Sequence, residues 1–233
     1  MNFELKTMDV AQAASEKCDL LVLLVPEGFA PGKDALGAVV AQAFKAKDLD
    51  TKPGKSLQLY QAAGIAARRV VLAGVGAGDA RAVRQALAAL SPALKQGAPK
   101  RAVVCLAGGG GAAAVAAGGR GVAQASYVYT ATKPKAEART LVRVVVGVHD
   151  ARALSAPFER AVAVSLVNAA LAAGWGAAWL TGWPAYDRVL LEGPLGLGPD
   201  EWLAGFVYIG SCGTVPPERP RPDMAAIVTW VDG

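Results

Sequence analysis

The chain holds one histidine, His149, and three cysteines, Cys18, Cys105 and Cys212, in 233 residues. A single imidazole with no Cys or His nearby lacks the donor set of a zinc site, so His149 is expected to be an ordinary residue at a strand end. The cysteines are odd in number and far apart, which predicts buried thiols in a reducing compartment and excludes a disulfide framework. Charged residues make up 18% and aromatic residues 6% of the chain. With a mean hydropathy of +0.32 that composition excludes a solvated, disordered tail. The first residues, Met-Asn-Phe-Glu-Leu-Lys, alternate polar and apolar and lack the basic and apolar regions of a signal peptide. The longest near-apolar stretch, Ala161 to Gly182, is broken by Ser165, Asn168, Thr181 and its glycines, so no membrane span and no membrane partner is expected. A cytoplasmic location follows as the expectation.

What is present is unevenly placed. Residues 1–150 carry 19 Lys and Arg against 11 Asp and Glu, whereas residues 151–233 carry 5 against 8. Every lysine lies at or before Lys135, and all five tryptophans, Trp175, Trp179, Trp183, Trp202 and Trp230, lie after position 174. The step divides the chain into residues 1–150 and 151–233. The basic residues are scattered with no aromatics between them, so no stacking platform is visible and no nucleic-acid partner is expected.

Apolar β-like runs at Phe3–Lys6, Leu20–Val25, Ser56–Tyr60, Arg69–Val75, Ala102–Leu106 and Leu141–Val148 alternate with helical windows, the pattern of an α/β layered fold. Asp79 is placed to cap a helix running to about Leu94, with Val83, Leu87, Leu90 and Leu94 on one face. Gly74-Val-Gly-Ala-Gly-Asp79 joins a strand to that helix. A dinucleotide fingerprint needs an acidic residue about 20 positions on, and positions 95–109 hold none, so a tight turn is expected. Ala107–Gly121 is almost only Gly and Ala; without a Gly-Lys-Ser/Thr ending it lacks the phosphate-loop mechanism and is expected to be a compositional feature.

Three segments in order carry a first resemblance: Thr51-Lys-Pro-Gly-Lys-Ser-Leu-Gln-Leu-Tyr, Ala67-Arg-Arg-Val-Val-Leu-Ala-Gly-Val-Gly, and Tyr129-Thr-Ala-Thr-Lys-Pro-Lys. Residues 1–150 resemble the N-terminal domain of the leucyl aminopeptidases. The resemblance implies a macro-domain-like, three-layer α/β module that packs on a catalytic domain and helps build an oligomer, without carrying the two-metal site. The Asn-Thr-Asp-Ala-Glu-Gly-Arg segment of that site is absent from this chain. No metal and no peptidase activity are therefore expected.

Past Leu154 the pattern changes. Ala156–Ala173 is apolar nearly all round, with Phe158, Val162, Leu166, Ala169 and Ala173 on one stripe, which predicts a buried helix ending at Gly174. Then come Trp175-Gly-Ala-Ala-Trp-Leu-Thr-Gly, Leu195-Gly-Leu, Gly205-Phe-Val-Tyr-Ile-Gly and a Pro/Arg-rich tail. Residues 155–233 resemble the C-terminal half of the FMN-dependent nitroreductases, which implies an α+β segment that lines flavin. By position, Trp179, Leu180, Thr181 and Gly182 match the stretch along the flavin. Ala169 to Gly174 match the stretch associated with the nicotinamide donor, and Arg219 and Arg221 a pair that reaches the FMN phosphate. The family's N-terminal arginine cluster is absent, so half of the cradle is missing.

The expectation is a fusion of the two. As an enzyme it would be an FMN-dependent NAD(P)H oxidoreductase with flavin and nicotinamide nucleotide as partners and no catalytic side chain, since the flavin carries the electrons. The alternative is a non-catalytic aminopeptidase N-domain protein acting in oligomerisation or protein interaction. Either implies a homo-oligomer.

Overall fold

A computed structural model describes residues 2–126, 140–199, 201–211 and 213. The segment Tyr129–Lys135, Cys212, Arg219 and Arg221 lie outside the described residues. Six strands form one sheet: β1 (Asn2–Thr7), β2 (Leu20–Val25), β3 (Ser56–Tyr60), β4 (Arg69–Gly74), β5 (Arg101–Leu106) and β6 (Arg143–Val148). Their order is β1-β6-β5-β2-β4-β3, parallel throughout except for β3, which runs antiparallel to β4. The central strands β2 (Leu-Leu-Val-Leu-Leu-Val) and β4 (Arg-Val-Val-Leu-Ala-Gly) are buried at every position. Such unbroken apolar runs are stable only where helices cover both faces of a parallel sheet. On edge strand β3, by contrast, only Leu57 and Leu59 are half-buried while Ser56, Gln58 and Tyr60 face water, the alternation of a strand with one solvated face.

The helices supply that cover. On one face, α1 (Val10–Ser15) and α2 (Ala35–Ala46) pack with Leu21, Leu23, Leu72, Val103 and Val145. On the other lie α3 (Ala80–Ala89), α4 (Ser91–Lys95), α5 (Ala112–Ala125) and the first turns of α6 (Ala151–Ala172), over Val22, Leu24, Val71, Val104 and Val146. The result is a three-layer α/β/α body. The single helix expected from Asp79 to Leu94 is two, because the pyrrolidine of Pro92 is tolerated only in a first turn and so restarts the chain as α4.

The Gly/Ala run is more than composition. It builds the turn after β5 and then α5, whose glycines let three helices meet closely. A Cβ at Gly121 would stand 2.7 Å from Leu87 Cδ1 and 3.1 Å from its Cβ, and one at Gly119 would stand 2.9 Å from the ring of Phe158 on α6.

Residues 151–211 depart from the expectation. α6 starts earlier than the pattern predicts, at the Asp150 cap, whose carboxylate accepts from Ala153 N at 3.0 Å. It ends where predicted, with Gly174 in the left-handed region at φ 83°. It is not the buried helix its composition suggests. Leu154, Phe158, Ala161 and Ala170 are buried, whereas Leu166, Ala169, Leu171 and Ala173 face outward. The body's width explains this: its sheet-covering contacts are made by the first turns, and the rest extends past it. Asn168 is exposed and so needs no protein partner. Two strands, β7 (Gly176–Leu180) and β8 (Phe206–Gly210), form a separate antiparallel pair lying against α6, with α7 (Arg188–Glu192) between them in sequence.

Replacing Gly121 by Ala tests the helix junction. Alanine gains about 1 kcal/mol of helix propensity, but overpacking against Leu87 costs about 1–3 kcal/mol. Net destabilisation is expected as a lower midpoint in urea; a raised midpoint would show that α3 and α5 are free to separate.

Candidate functional site

At the carboxyl ends of the parallel strands, loops after β2, β4 and β5 enclose a cavity of about 200 Å³, floored by Leu24, Val75, Val83 and Leu106 and rimmed by Gly78 and Gly108–Gly111. This is the edge at which open α/β sheets hold ligands. A second, more open hollow of about 450 Å³ adjoins it at Gly108 and Gly109, with Met8, Asp9 and His149 on its far side. His149 thus sits where expected, past the end of β6, with Nδ1 3.2 Å from the place a Gly109 Cβ would take. Asp9 is committed to the first turn of α1, accepting from Gln12 N at 2.7 Å in a capping box. The lining therefore brings no nucleophile and base together.

The glycine cluster 74–79 is the tight turn that its sequence predicts. Gly76 N donates to Thr51 O at 2.7 Å, Gly78 N donates to Val75 O at 2.8 Å, and Gly76 O accepts from Glu27 N at 2.7 Å. The Asp79 carboxylate caps α3 by accepting from Ala82 N at 2.7 Å, so a negative charge already occupies that helix end.

The residues matched by position to a flavin site lie elsewhere, on α6 and the β7–β8 pair. Trp179 on β7 is half-buried and its indole Nε1 donates to Ala204 O at 3.2 Å. It pairs with Val207, and Leu180 with Phe206. Thr181 and Gly182 follow the strand and are exposed, as are Ala169 and Gly174 at the end of α6. The groove beside this pair is lined by Gly176, Ala177, Ala178, Tyr208, Ile209 and Gly210, at the opposite end from Thr181 and Gly182. The described flavin-matched residues, Ala169, Gly174 and Trp179–Gly182, carry no cationic side chain to hold a phosphate. They offer one open wall and not a cradle, which does not fit a bound FMN on these residues alone.

Charge gathers at the amino ends of the strands instead. Glu16 accepts from Lys6 Nζ at 2.8 Å and from Arg101, and its carboxyl is held below the ordinary value, chiefly by the Lys6 hydrogen bond. Asp19 accepts from the backbone N of Lys100 at 2.9 Å and of Arg101 at 3.0 Å, tying the start of β2 to the start of β5. The Arg101 amide bond chiefly lowers its pKa. Arg69 is buried and donates through Nη2 to Ala93 O at 2.6 Å and Gln96 O at 2.9 Å, closing the end of α4. These are structural uses of charge. The Cys18 and Cys105 thiols are free and buried, as expected, and burial pushes both up to about 12. Such thiols are protonated and unreactive near neutrality. Among the described residues no group of three His, Cys, Asp or Glu is placed to hold a metal ion.

Residues 26–136 match the family model for the N-terminal domain of the cytosol aminopeptidase family. Over those residues the chain is similar in sequence to leucyl aminopeptidase N-terminal domains, and its mixed α/β fold with a mostly parallel sheet is consistent with that likeness. A probable cytosol aminopeptidase of an Acidovorax species is 56% identical over 165 residues, covering 71% of this chain and 33% of that protein. The corresponding protein of Verminephrobacter eiseniae is 56% identical over 164 residues, covering 70% and 32%. That of Variovorax paradoxus is 42% identical over 180 residues, covering 76% and 35%. The chain thus spans about a third of the length of these relatives. A solved mutant of tomato leucine aminopeptidase shares the fold with a TM-score of 0.57 at 17% identity, over 78% of this chain and 45% of that one. An alignment of 165 residues is longer than residues 1–150, so the likeness runs past Asp150. These likenesses support the aminopeptidase part of the expectation, and none of them bears on a nitroreductase.

Asp19→Asn keeps the shape but weakens both amide bonds. A carboxylate whose folded pKa is lowered contributes stability above its unfolded value that is lost as pH falls through the folded one. The variant is expected to melt earlier than the parent at pH 7, with the gap narrowing from about pH 4 downward. A gap independent of pH, by thermal denaturation, would contradict this role.

Proposed function

We propose that the chain is a non-catalytic association module: an aminopeptidase-type N-terminal domain whose later segment, residues 175–211, gives it a surface for binding another protein surface. The observation that carries this is the uncovered apolar area of that segment. Trp175, Trp183, Tyr186, Val189, Trp202 and Tyr208 are all more than half exposed, whereas soluble monomers leave few such side chains to water without a partner. The likeness to the N-terminal domain of the family supports the non-catalytic part. The purified chain, supplied with manganese or zinc, is expected to leave leucine p-nitroanilide uncleaved. Turnover above the metal-only blank sinks the reading.

A second reading is a flavin-dependent NAD(P)H oxidoreductase segment. One observation favours it: β7 and β8, the two strands whose resemblance suggests flavin, pair with Trp179 beside Val207 and Leu180 beside Phe206, and Thr181 and Gly182, just past β7, are exposed. When bound, FMN would supply the hydride chemistry, and the chain would orient it. Protein purified with added FMN and freed of excess ligand would then retain yellow absorbance and oxidise NADH or NADPH. A colourless protein after gel filtration dismisses this reading.

A further inference from the structure

A hollow of about 250 Å³ lies at the amino ends of the parallel strands, lined by Asp19 before β2, Tyr60 at the end of β3, Arg68 and Arg69 where β4 starts, and Gln96 and Pro99 ahead of β5. One of these groups is a buried charge. Arg69 is only 6% exposed, and of its three guanidinium nitrogens just one is used, Nη2, which donates to Ala93 O and Gln96 O. Nε and Nη1 donate to nothing among the described residues. Neither belongs to the enclosed, unpartnered side-chain atoms, which are Nε of Arg101 and Nε of Arg120, so both open onto the hollow that Arg69 lines. Among the described residues no carboxylate forms an ion pair with Arg69. A buried cation left in that state is costly, and an unpaired buried donor calls for a partner.

We propose that this hollow binds a small monocarboxylate with a flat, apolar body. Charge sets the first part. Arg68 and Arg69 against Asp19 leave the lining with one positive charge. A monoanion balances that, whereas a phosphate dianion exceeds it and also faces the Asp19 carboxylate. That carboxylate is already held through Oδ2 by the amides of Lys100 and Arg101. Arg68 supplies the free fork: its side chain is 83% exposed, and its Nη1 stands 3.8 Å from Asp19 Oδ1, too far for a hydrogen bond. A guanidinium so disposed can take both oxygens of a carboxylate, with Arg69 donating from below.

Shape sets the second part. The register pairs Tyr60 with Arg69, so the two side chains leave the same face of the sheet with Cβ atoms about 5 Å apart. Tyr60 is 61% exposed, which leaves its ring open for a planar group to stack on. The hollow has room for roughly eight waters at their share of liquid volume, which suits an acid with a single ring and is too small for a nucleotide. The site lies in the α/β body and is independent of the association reading above.

The test titrates the full chain with benzoate, using benzamide as the uncharged counterpart, acetate as the acid without a ring, and inorganic phosphate as the competing anion. In NMR spectra assigned through the backbone, benzoate is expected to shift the Arg69 Nε–H signal saturably, with acetate binding more weakly and benzamide and phosphate leaving the signal in place. Arg68→Gln removes a cation that faces water, so the far-UV dichroism spectrum is expected to stay unchanged while benzoate binding weakens by about tenfold or more, as loss of a charge-assisted hydrogen bond does. An Arg69 signal that benzoate does not move overturns the proposal. So does benzamide, acetate or phosphate binding as tightly as benzoate, or an affinity that Arg68→Gln leaves intact. None of these results touches the association reading, which rests on residues 175–211.

Discussion

Burial of the central strands on both faces is the constraint on which the body depends. β2 and β4 offer no polar side chain to water except at the first residue of β4, Arg69, and that guanidinium is itself buried and bonded to the end of α4. A strand of this kind has no stable solvated form, so the chain must return across each face with a helix. α1 and α2 do so on one side, and α3, α4, α5 and the start of α6 on the other. The glycines of α5 belong to the same requirement. The space above one face is shared by three helices, and Gly119 and Gly121 let the backbone of α5 approach Phe158 and Leu87 closely enough to fit.

The two ends of the parallel sheet are used differently. At the amino ends, Glu16 binds Arg101 at the start of β5 and is also reached by Lys6 from near the far end of β1, and Asp19 ties the start of β2 to the backbone of β5. At the carboxyl ends the loops are glycine-rich and leave hollows lined by apolar side chains and main chain. The polar groups there are spent on local order, as Asp79 and Asp9 show by capping α3 and α1.

α6 links two kinds of order. Its first turns are part of the body's core through Leu154 and Phe158, and its later turns leave the body and carry the β7–β8 pair. Beyond Ala161 the side chains are as apolar as before, but the sheet no longer lies beneath them. The mismatch between composition and burial begins there and extends through Trp175, Leu180 and Tyr208. It is a property of what surrounds the helix.

Much of the body could be read along the chain. The six strands fall at or within two residues of the runs expected, because Leu20–Val25 or Ala102–Leu106 has one stable setting whatever lies beside it. Asp79 and Gly174 mark helix ends through local backbone chemistry, which needs no distant partner. The aminopeptidase likeness was readable too, since the Lys-Pro-Gly turn and the strands after it are contiguous. The tertiary structure decided what depends on distance. It gave the glycines of α5 a packing role, because Leu87 and Phe158 come from elements far off in sequence, whereas the break after Leu90 was local and set by Pro92. It also left Leu166, Ala169 and Leu171 of α6 and Leu180 and Tyr208 of the β7–β8 pair exposed. Hydrophobic pattern records that a residue would gain from burial; whether a second surface stands within reach is set only when the chain has folded.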